Sequence, residues 1–276
     1  VVARALGAQG TLVLNADDPV LAAMPVGIAP KVTWFSAAAG RTDAAAAIVN
    51  GHGVIRLDGA THDIGAINDM PITLHGAAPH NVSNILGAAL LAAVLGVPFD
   101  AIRHVCETFG KSPRDNPGRL QVSHVGGVTV LTDYAHNPGG LAALCATAAS
   151  MHAKRRLLLL GQAGNRDDEQ VRELARAALD VTRFDRVIIK EMPSMLRGRE
   201  VGDLSRLFHD ELLRGGMHED QLEIVVGERE AIRHAMAWAK GGDLLVCPVH
   251  VERAGVHAWL NMLAVTGWHA GHPVPE

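Results

Sequence analysis

The segment 132–138, Thr-Asp-Tyr-Ala-His-Asn-Pro, places polar side chains where a predicted strand ends and a helix begins. Asp133 could accept hydrogen bonds from two ribose hydroxyls, and His136 could donate to a phosphate or stack on a base. Asn137, which precedes a proline, is also suited to capping the helix. Because capping does not require Asp133, Tyr134 or His136, the segment indicates a ligand-binding site.

A second helix start carries two amide side chains one turn apart. The segment 79–84 reads Pro-His-Asn-Val-Ser-Asn, so Asn81 and Asn84 lie on one helix face and could both reach a planar ligand such as adenine. Capping of the helix by these asparagines explains the pattern equally well. Both interpretations stay open at the level of the sequence.

Residues 161–168, Gly-Gln-Ala-Gly-Asn-Arg-Asp-Asp, form a glycine-bearing turn between a predicted strand and a helix. Glycine lets the backbone approach a ligand, the helix start favours an anion, and Arg166 could pair with a carboxylate. Alternatively, Asp167 and Asp168 only complement the helix dipole. The turn is not the Gly-x-Gly-x-x-Gly dinucleotide fingerprint, which disfavours an NAD-dependent dehydrogenase. Gly-Lys-Ser at 110–112 lacks the upstream glycine of a phosphate-binding loop.

The bulk composition of the 276 residues excludes several classes of protein. With 25 Lys plus Arg against 29 Asp plus Glu, the net charge of −4 argues against a nucleic-acid-binding protein. No apolar run reaches the ~20 residues that cross a bilayer, and no charged leader is evident, so we expect a cytoplasmic protein without a membrane partner. The three widely spaced cysteines predict reduced core residues. The fifteen histidines lack metal-ligand spacing, so no metal ligand is predicted in this chain.

The elements that must position these residues follow from hydrophobic periodicity. Before residue 112, short apolar runs predict strands at 11–14, 31–35, 45–49, 53–57 and 71–74, and helical spacing predicts helices at 80–95 and 99–109. The segment 112–118 is rich in turn-forming residues and is the candidate inter-domain linker.

After the linker, strands alternate with helices. Gly126-Gly127 predicts a hairpin between 119–125 and 128–132. Further strands are predicted at 155–160, 185–190, 222–226 and 243–247, and helices at 138–151, 167–179, 201–214, 228–240 and 251–265. This alternation is typical of a largely parallel sheet covered on both faces, in which ligands bind beyond the carboxyl ends of the strands. The segments 133–137 and 161–168 and the pair Lys190-Glu191 all follow predicted strands.

Taken together, five motifs resemble those of the Mur ligase superfamily, in order and in approximate spacing. They are Leu-Asn-Ala-Asp-Asp-Pro (14–19), His-Asn-Val-Ser-Asn (80–84), Asn-Pro-Gly-Arg (116–119), Asp-Tyr-Ala-His-Asn-Pro (133–138) and Gly-x-x-Gly-Asn-Arg-x-Asp (161–168). The succession of the third and fourth motifs, and Ile-Lys-Glu (189–191) followed by Leu-Arg-Gly-Arg (196–199), favour the cyanophycin synthetase branch. The resemblance implies an α/β fold: residues 1–114 as the C-terminal portion of a Mur ligase central (ATPase) domain, and 115–276 as a Rossmann-like, mostly parallel C-terminal domain.

The resemblance also implies an activity, the joining of a carboxylate to an amino group with ATP through an acyl-phosphate. In the cyanophycin synthetase branch this reaction adds Asp, Arg or an Asp-Arg unit to a growing polymer. By resemblance, the nucleotide contacts are His80, Asn81 and Asn84 for adenine, with Arg119 and Asp133 at ribose and phosphate and His136 close by. The residues near the amino substrate are Tyr134, Asn137, Gly164, Asn165, Arg166, Asp168, Lys190, Arg197 and Arg199.

Two departures from the family pattern qualify this expectation. The family's glycine loop often reads Gly-Asp-Arg, whereas Asn165 stands here, which leaves the amino substrate open between Asp, Arg and a dipeptide of both. The family's phosphate loop, most of its Mg²⁺ ligands and its modified lysine would lie upstream of Val1, and the start without methionine looks cut. Since phosphoryl transfer depends on those groups, we expect this chain to be inactive without the upstream region as a partner.

Other functions stay open beside the leading one. A peptidoglycan-type Mur ligase acting on a nucleotide-linked muramoyl peptide shares the same motifs. A non-catalytic module that binds a nucleotide or a peptide also fits the residues. Homo-oligomerisation is a further possibility that the resemblance implies.

Overall fold

The computed structural model describes residues 5–24, 31–41, 43–112 and 114–275. The chain divides into two compact units, Val1–Asp115 and Asn116–Glu276. The division lies inside the predicted linker 112–118, of which Pro113 is outside the described residues. None of the described helices is both long and apolar enough to span a membrane.

The first unit contains a five-stranded sheet in the order β1-β2-β3-β4-β5, parallel from β1 to β3 and antiparallel from β3 to β5. The strands are β1 (Thr11–Asn15), β2 (Lys31–Phe35), β3 (Ala46–Val49), β4 (His52–Leu57) and β5 (Ala60–Ala66). Two-residue turns, Asn50-Gly51 and Asp58-Gly59, join the last three strands, and all four residues have positive φ. Asn-Gly and Asp-Gly are the pairs that such tight hairpins favour, so the sequence dictates this part of the sheet locally.

Two sequence expectations fail in the first unit. The predicted strand 71–74 is wrong: Pro71–Thr73 forms a 3₁₀ turn, and the Thr73 hydroxyl donates to the carbonyls of Ile67 and Met70, both at 2.8 Å. The following Leu74 is left-handed, with φ +51°, which ends any extended run. Conversely, β5 was not predicted, because its polar Thr-His-Asp start hides the apolar alternation.

Helices complete the first unit. They are α1 (Pro19–Ala22), α2 (Pro79–Val94) and α3 (Phe99–Thr108). The α2 helix buries an apolar stripe, including Leu86, Ala89 and Leu90, in a core shared with Ile55 and Ile64 of the sheet. This packing confirms the helix that the periodicity predicted and fixes the direction of its N-terminal turn.

The second unit contains a six-stranded sheet in the order β10-β9-β8-β11-β7-β6, parallel throughout except for the edge strand β6. The strands are β6 (Gln121–Val125), β7 (Val128–Asp133), β8 (Arg156–Leu160), β9 (Arg186–Glu191), β10 (Leu222–Val226) and β11 (Leu244–Pro248). The predicted Gly126-Gly127 hairpin and the mostly parallel sheet are both confirmed. Parallel strands are buried on both faces, which is why they read as continuous apolar runs.

Helices cover both faces of this sheet. They are α4 (Pro138–Ser150), α5 (Asp168–Leu179), α6 (Asp203–Arg214), α7 (Glu228–Trp238) and α8 (Arg253–Val265). Side chains of α7 and α8, including Met236 and Trp259, pack with Leu157, Ile188 and Leu245 in one core cluster. The α4, α5 and α6 helices contact one another in sequence, and α4 and α6 also contact the strands β11 and β9. The predicted α/β architecture is therefore confirmed.

All three cysteines are buried and none forms a disulfide. Burial raises the pKa of Cys106 to about 11 and those of Cys145 and Cys247 to about 12. Protonated, apolar-surrounded thiols behave as small core residues, which confirms the interpretation made from their spacing.

Substitution of a central strand residue tests the account of the second core. Leu245 in β11 is fully buried, so Leu245→Ala should lower the free energy of unfolding by about 2–5 kcal/mol through lost burial and cavity formation. The matched change Val226→Ala on the edge strand, where the side chain is 58% exposed, should cost about 1 kcal/mol or less. Urea unfolding followed by circular dichroism measures both free energies of unfolding. Equal losses would contradict the placement of Leu245 in the core.

Candidate functional site

The carboxyl end of β7 holds a strained turn in place. The Asp133 carboxylate accepts a 2.7 Å hydrogen bond from the backbone N–H of Leu120, which has a left-handed φ of +43°. This conformation is unfavourable for a leucine by about 1–3 kcal/mol and persists because the hydrogen bond and the buried side chain hold it. The turn presents the adjacent Arg119, so Asp133 helps to set the position of an exposed guanidinium.

Tyr134, the only tyrosine of the chain, is the centre of a ring and guanidinium cluster. The guanidinium carbons of Arg119 and Arg253 lie 5.1 and 4.8 Å from the centroid of its ring. The ring of His136 lies 5.1 Å from it, and that of His250 meets it edge-on at 5.6 Å. Cations over an aromatic face are attracted by its quadrupole, so the phenol ring organises both arginines.

Three successive carbonyl groups of the turn that carries Tyr134 each accept a side-chain hydrogen bond. His136 Nδ1 donates to the Tyr134 carbonyl at 3.1 Å, His250 Nε2 to that of Ala135 at 2.8 Å, and Gln162 Nε2 to that of His136 at 2.7 Å. The turn is therefore held from the ends of β8 and β11. Since a carbonyl only accepts, Nδ1 of His136 carries the proton, and its Nε2 is the basic nitrogen in the neutral ring.

A buried charge pair lies beneath this turn. The side chains of Lys190 and Glu228 are 0% and 1% exposed and form an ion pair. The Lys190 ammonium also donates to the Pro248 carbonyl at 2.5 Å and lies 3.4 Å from His250 Nδ1. The Glu228 carboxylate accepts three backbone N–H groups, those of residues 250–252, each at 2.7 Å. Gly161 passes so close to Lys190 that a Cβ there would lie 2.6 Å from Lys190 Cγ.

Burial and charge shift the ionisation of this cluster. Burial opposes the Glu228 charge, but the Lys190 ammonium and the backbone N–H groups lower the pKa of Glu228 to about 2. Burial lowers the pKa of Lys190, which the facing carboxylate opposes. Burial and then the Lys190 charge lower the pKa of His250 to about 4. The Lys190 ammonium is buried and bound by the Glu228 carboxylate and the Pro248 carbonyl. It therefore stabilises the turn and does not present a charge at the surface.

The glycine loop 161–168 is bound to the segment that follows β9. Gly164 donates to the Met195 carbonyl at 2.8 Å, and a Cβ on Gly164 would lie 1.8 Å from the Leu196 carbonyl oxygen, so only glycine fits. Arg199 donates to the carbonyls of Gly164 at 3.1 Å and Arg166 at 2.6 Å, and pairs with the Asp168 carboxylate at 2.8 Å. The predicted neighbours Gly164, Arg166, Asp168 and Arg199 are thus brought together.

Several predicted residues at these loops are explained by local structure or lie exposed. Asn137 caps α4 by accepting from the Gly140 N–H at 2.8 Å, and Asp167 forms a capping box with Gln170 at the start of α5. The capping interpretation is therefore confirmed for Asn137, whereas the capping box of Asp167 was not predicted from the sequence. Asn165 and Arg197 are exposed at the surface of the loop region.

In the first unit, the two predicted asparagines differ in exposure. Asn81 is buried and donates from its amide to the Ile72 carbonyl at 2.8 Å, while Asn84 is exposed and donates to Asn81 Oδ1 at 3.4 Å. The capping alternative is wrong here, because Ala78 occupies the N-cap position of α2 and no side chain caps the helix. His80 stands beside them at half-buried exposure.

Sequence reasoning missed four residues of the second unit's cluster: Gln162, Glu228, His250 and Arg253. Gln162, Glu228 and His250 lie two residues beyond the ends of β8, β10 and β11, and Arg253 lies five residues beyond β11, so the rule that ligands bind at carboxyl ends could have found them. Within the described ranges, no group of three or more His, Cys, Asp or Glu side chains is placed to hold a metal ion.

The fold of the second unit, and the polar residues at the carboxyl ends of its strands, define a class of protein. Residues 118–248 match the model of the Mur ligase, glutamate ligase domain. The second unit therefore belongs to the Mur ligase family.

Among curated proteins the chain is similar to cyanophycin synthetases. That of Crocosphaera subtropica is 35% identical over 264 residues, which cover 92% of this chain and 30% of that protein. That of Synechocystis sp. is 32% identical over 267 residues, covering 92% and 30%. A UDP-N-acetylmuramoyl-L-alanyl-D-glutamate–2,6-diaminopimelate ligase of Listeria monocytogenes is 26% identical over 237 residues, covering 85% and 45%. The chain thus spans about 30% of the length of the cyanophycin synthetases it matches.

Solved structures share the fold. A murein peptide ligase from Psychrobacter arcticus superposes with a TM-score of 0.62 at 15% identity, covering 95% of this chain and 52% of that one. MurF ligase from Thermotoga maritima in complex with ADP gives 0.57 at 15% identity, covering 93% and 54%. At these identities the likeness establishes the fold alone.

Removal of the Glu228 charge tests the buried pair. Glu228→Gln should lower the free energy of unfolding at pH 7 by about 3–5 kcal/mol, because it leaves the buried Lys190 ammonium without its carboxylate. Glu230→Gln on the same helix removes only partly exposed contacts, with Arg233 and His234, and should cost less than about 1 kcal/mol. Urea unfolding checks both, and equal small losses would show that the pair does not sustain the fold.

The lowered pKa of His250 predicts acid sensitivity. As the pH falls below the ordinary value of 6.5, the unfolded chain binds a proton that the folded chain rejects until about pH 4, so stability falls across that window. Between pH 7 and pH 5 the contribution is about 2 kcal/mol. His250→Gln should flatten the fall in the free energy of unfolding, measured with urea at both pH values. His152→Gln, at an exposed position, should keep the wild-type dependence of the unfolding free energy on pH. The same dependence in all three proteins would refute the lowered pKa of His250.

Proposed function

We propose that this chain forms part of an ATP-dependent amide-bond ligase of the cyanophycin synthetase type. In this proposal the first unit is the C-terminal portion of the ATPase domain, and the second unit is the C-terminal ligase domain. The reaction adds Asp, Arg or an Asp-Arg unit to a polymer through an acyl-phosphate. The observation that carries the proposal is the convergence of Arg119, Asp133, Tyr134 and His136 at one edge of the parallel sheet, and the similarity to cyanophycin synthetases over 92% of the chain supports it.

The proposed nucleotide contacts divide into direct and supporting residues. Asn84 is exposed and presents its amide to adenine, whereas the buried Asn81 positions Asn84 through their hydrogen bond. His80 at the same helix start adds a ring beside them. Arg119 supplies a cation for ribose or phosphate, and Asp133 holds the turn that presents it.

The proposed amino-substrate residues are arranged around the glycine loop. Arg199 is engaged by two carbonyls and Asp168, so it shapes the loop rather than binding the substrate. Arg166, which lacks a carboxylate partner among the described residues, and the exposed Arg197 are the guanidinium groups suited to a substrate carboxylate. Asn165 at the loop surface contributes an amide where relatives often carry an aspartate.

His136 has a chemical part in this proposal. The amine nitrogen forms the new bond to the acyl carbon, the phosphate leaves with the electron pair of the broken C–O bond, and the amine must lose a proton. The Nε2 of His136 is the basic nitrogen of a ring whose Nδ1 is already committed to the Tyr134 carbonyl, so it can accept that proton. The part that the described residues of this chain take in the proposal is binding, orientation and proton transfer.

A peptidoglycan-type ligase is the second candidate. The similarity to the 2,6-diaminopimelate ligase of Listeria monocytogenes, at 26% identity, favours it. Incubation of an enzyme that contains this chain with ATP, Asp, Arg and a primer separates the two. A cyanophycin-type ligase extends the primer, whereas a muramoyl ligase leaves it unchanged. The sequence has no Gly-x-x-Gly-Lys-Thr loop, so we expect the 276 residues alone to leave ATP intact.

Nucleotide binding by the chain itself is the direct test. ADP should bind the purified chain in calorimetry, and Asn84→Ala should weaken its affinity about tenfold, because one hydrogen bond to a buried ligand edge is worth about 1.4 kcal/mol. Asn261→Ala, at an exposed position of α8, removes the same amide and should leave the affinity unchanged. Absence of ADP binding, or equal effects of the two changes, would overturn the nucleotide assignment.

A further inference from the structure

Arg253 lies where no motif of the sequence placed a functional residue. It is the first residue of α8, five residues beyond the end of β11, and is exposed. Its guanidinium carbon is 4.8 Å from the centroid of the Tyr134 ring, which the guanidinium of Arg119 approaches to 5.1 Å. Two cations from distant parts of the chain therefore share one aromatic ring.

Among the described residues, neither guanidinium forms an ion pair with a carboxylate. Elsewhere in the second unit, arginines such as Arg155 and Arg186 pair with Asp243 and Glu223 at 2.5 and 2.7 Å. Among the residues that the structure describes, no carboxylate lies within 4.0 Å of the guanidinium nitrogens of Arg119 or Arg253. Two like charges around one ring repel each other, so an anion between or beside them would relieve an unfavourable interaction.

The arrangement is built by the fold. Gly118 has a left-handed φ of +71°, and a Cβ there would lie 3.0 Å from Arg253 Cδ, so glycine permits both the turn and the contact with the Arg253 stem. Asp133 holds the same turn on the other side through the Leu120 N–H. His250 fixes the Ala135 carbonyl next to Tyr134 and packs edge-on against the Tyr134 ring. The cations are thus preorganised before any ligand arrives, which lowers the entropic cost of binding one.

We propose that Arg253 and Arg119 form a two-guanidinium oxyanion site around Tyr134. Its ligand is a phosphate or carboxylate group, which planar guanidinium donors bind through paired N–H···O bonds. The inference rests on the proposed function for the source of the oxyanion, either the polyphosphate of the nucleotide or a carboxylate of the peptide substrate. Arg253 binds ligand directly, while Tyr134 positions both cations.

Binding of simple anions tests this site without relying on turnover. Inorganic tripolyphosphate is titrated into the purified chain at low salt, and succinate serves as the carboxylate probe. Arg253→Gln should weaken the affinity for the preferred probe about tenfold, and Arg253→Lys should recover part of that loss, since it keeps the charge but not the paired geometry. Preference for tripolyphosphate assigns the site to the nucleotide, and preference for succinate assigns it to the peptide.

Arg183→Gln is the matched control. Arg183 is an exposed arginine that precedes β9, at the opposite edge of the sheet, so its change removes the same charge from a different place. Equal weakening by Arg253→Gln and Arg183→Gln would reduce the effect to net charge and overturn the proposal, as would an absence of binding by either probe. If Asn84→Ala weakens ADP binding while Arg253→Gln changes neither probe, the oxyanion site fails and the nucleotide assignment survives. Thermal unfolding midpoints equal to wild type confirm that the variants are folded.

Discussion

The ion pair between Lys190 and Glu228 is the constraint on which the carboxyl edge of the second unit depends. Removing both charges from water is costly, and the pair persists because its remaining hydrogen-bonding capacity is filled by the Pro248 carbonyl and the N–H groups of residues 250–252. These contacts join the ends of β9, β10 and β11 at one point. The loop after β11 can therefore adopt only a conformation that satisfies the Glu228 carboxylate.

The conformation of the loop after β11 determines the position of the turn after β7. His250, fixed by the loop, donates to the Ala135 carbonyl, and Gln162 from the end of β8 donates to that of His136. The turn after β7 is thereby clamped from two neighbouring strands, and Tyr134 becomes a fixed ring between two guanidinium groups. The buried charge pair of Lys190 and Glu228 and the two guanidinium groups beside Tyr134 both depend on this backbone arrangement.

The glycine loop 161–168 is held by a different set of contacts. Its shape depends on the exclusion of any Cβ at Gly164 and on the three acceptors of Arg199, so a surface arginine is used as structure. Among the described residues, Arg166 and Arg197 of the same region form no ion pair with a carboxylate. Charge in this region therefore cannot be equated with binding capacity, because a guanidinium saturated by carbonyls and a carboxylate has little left to offer a ligand.

The sequence by itself determined most of the elements and the parallel sheet of the second unit. The Gly126-Gly127 hairpin, the Asn137 cap of α4 and the alternation of apolar runs with helices are local patterns, and each predicted its structure because neighbouring residues decide it. The predicted strand at 71–74 is wrong. The Thr73 hydroxyl donates to the carbonyls of Ile67 and Met70, and these hydrogen bonds form in place of the backbone hydrogen bonds of a strand. Only the tertiary structure decided that Lys190 is buried, that Asn81 contacts Asn84, and that His250 and Arg253 lie beside the Tyr134 ring. Lys190 and Glu228 are 38 residues apart, and His250 and Ala135 are 115 apart, so no local pattern encodes their contact. Such pairs form only when the twisted sheet brings the ends of its strands together, and burial then decides which charges remain available to a ligand.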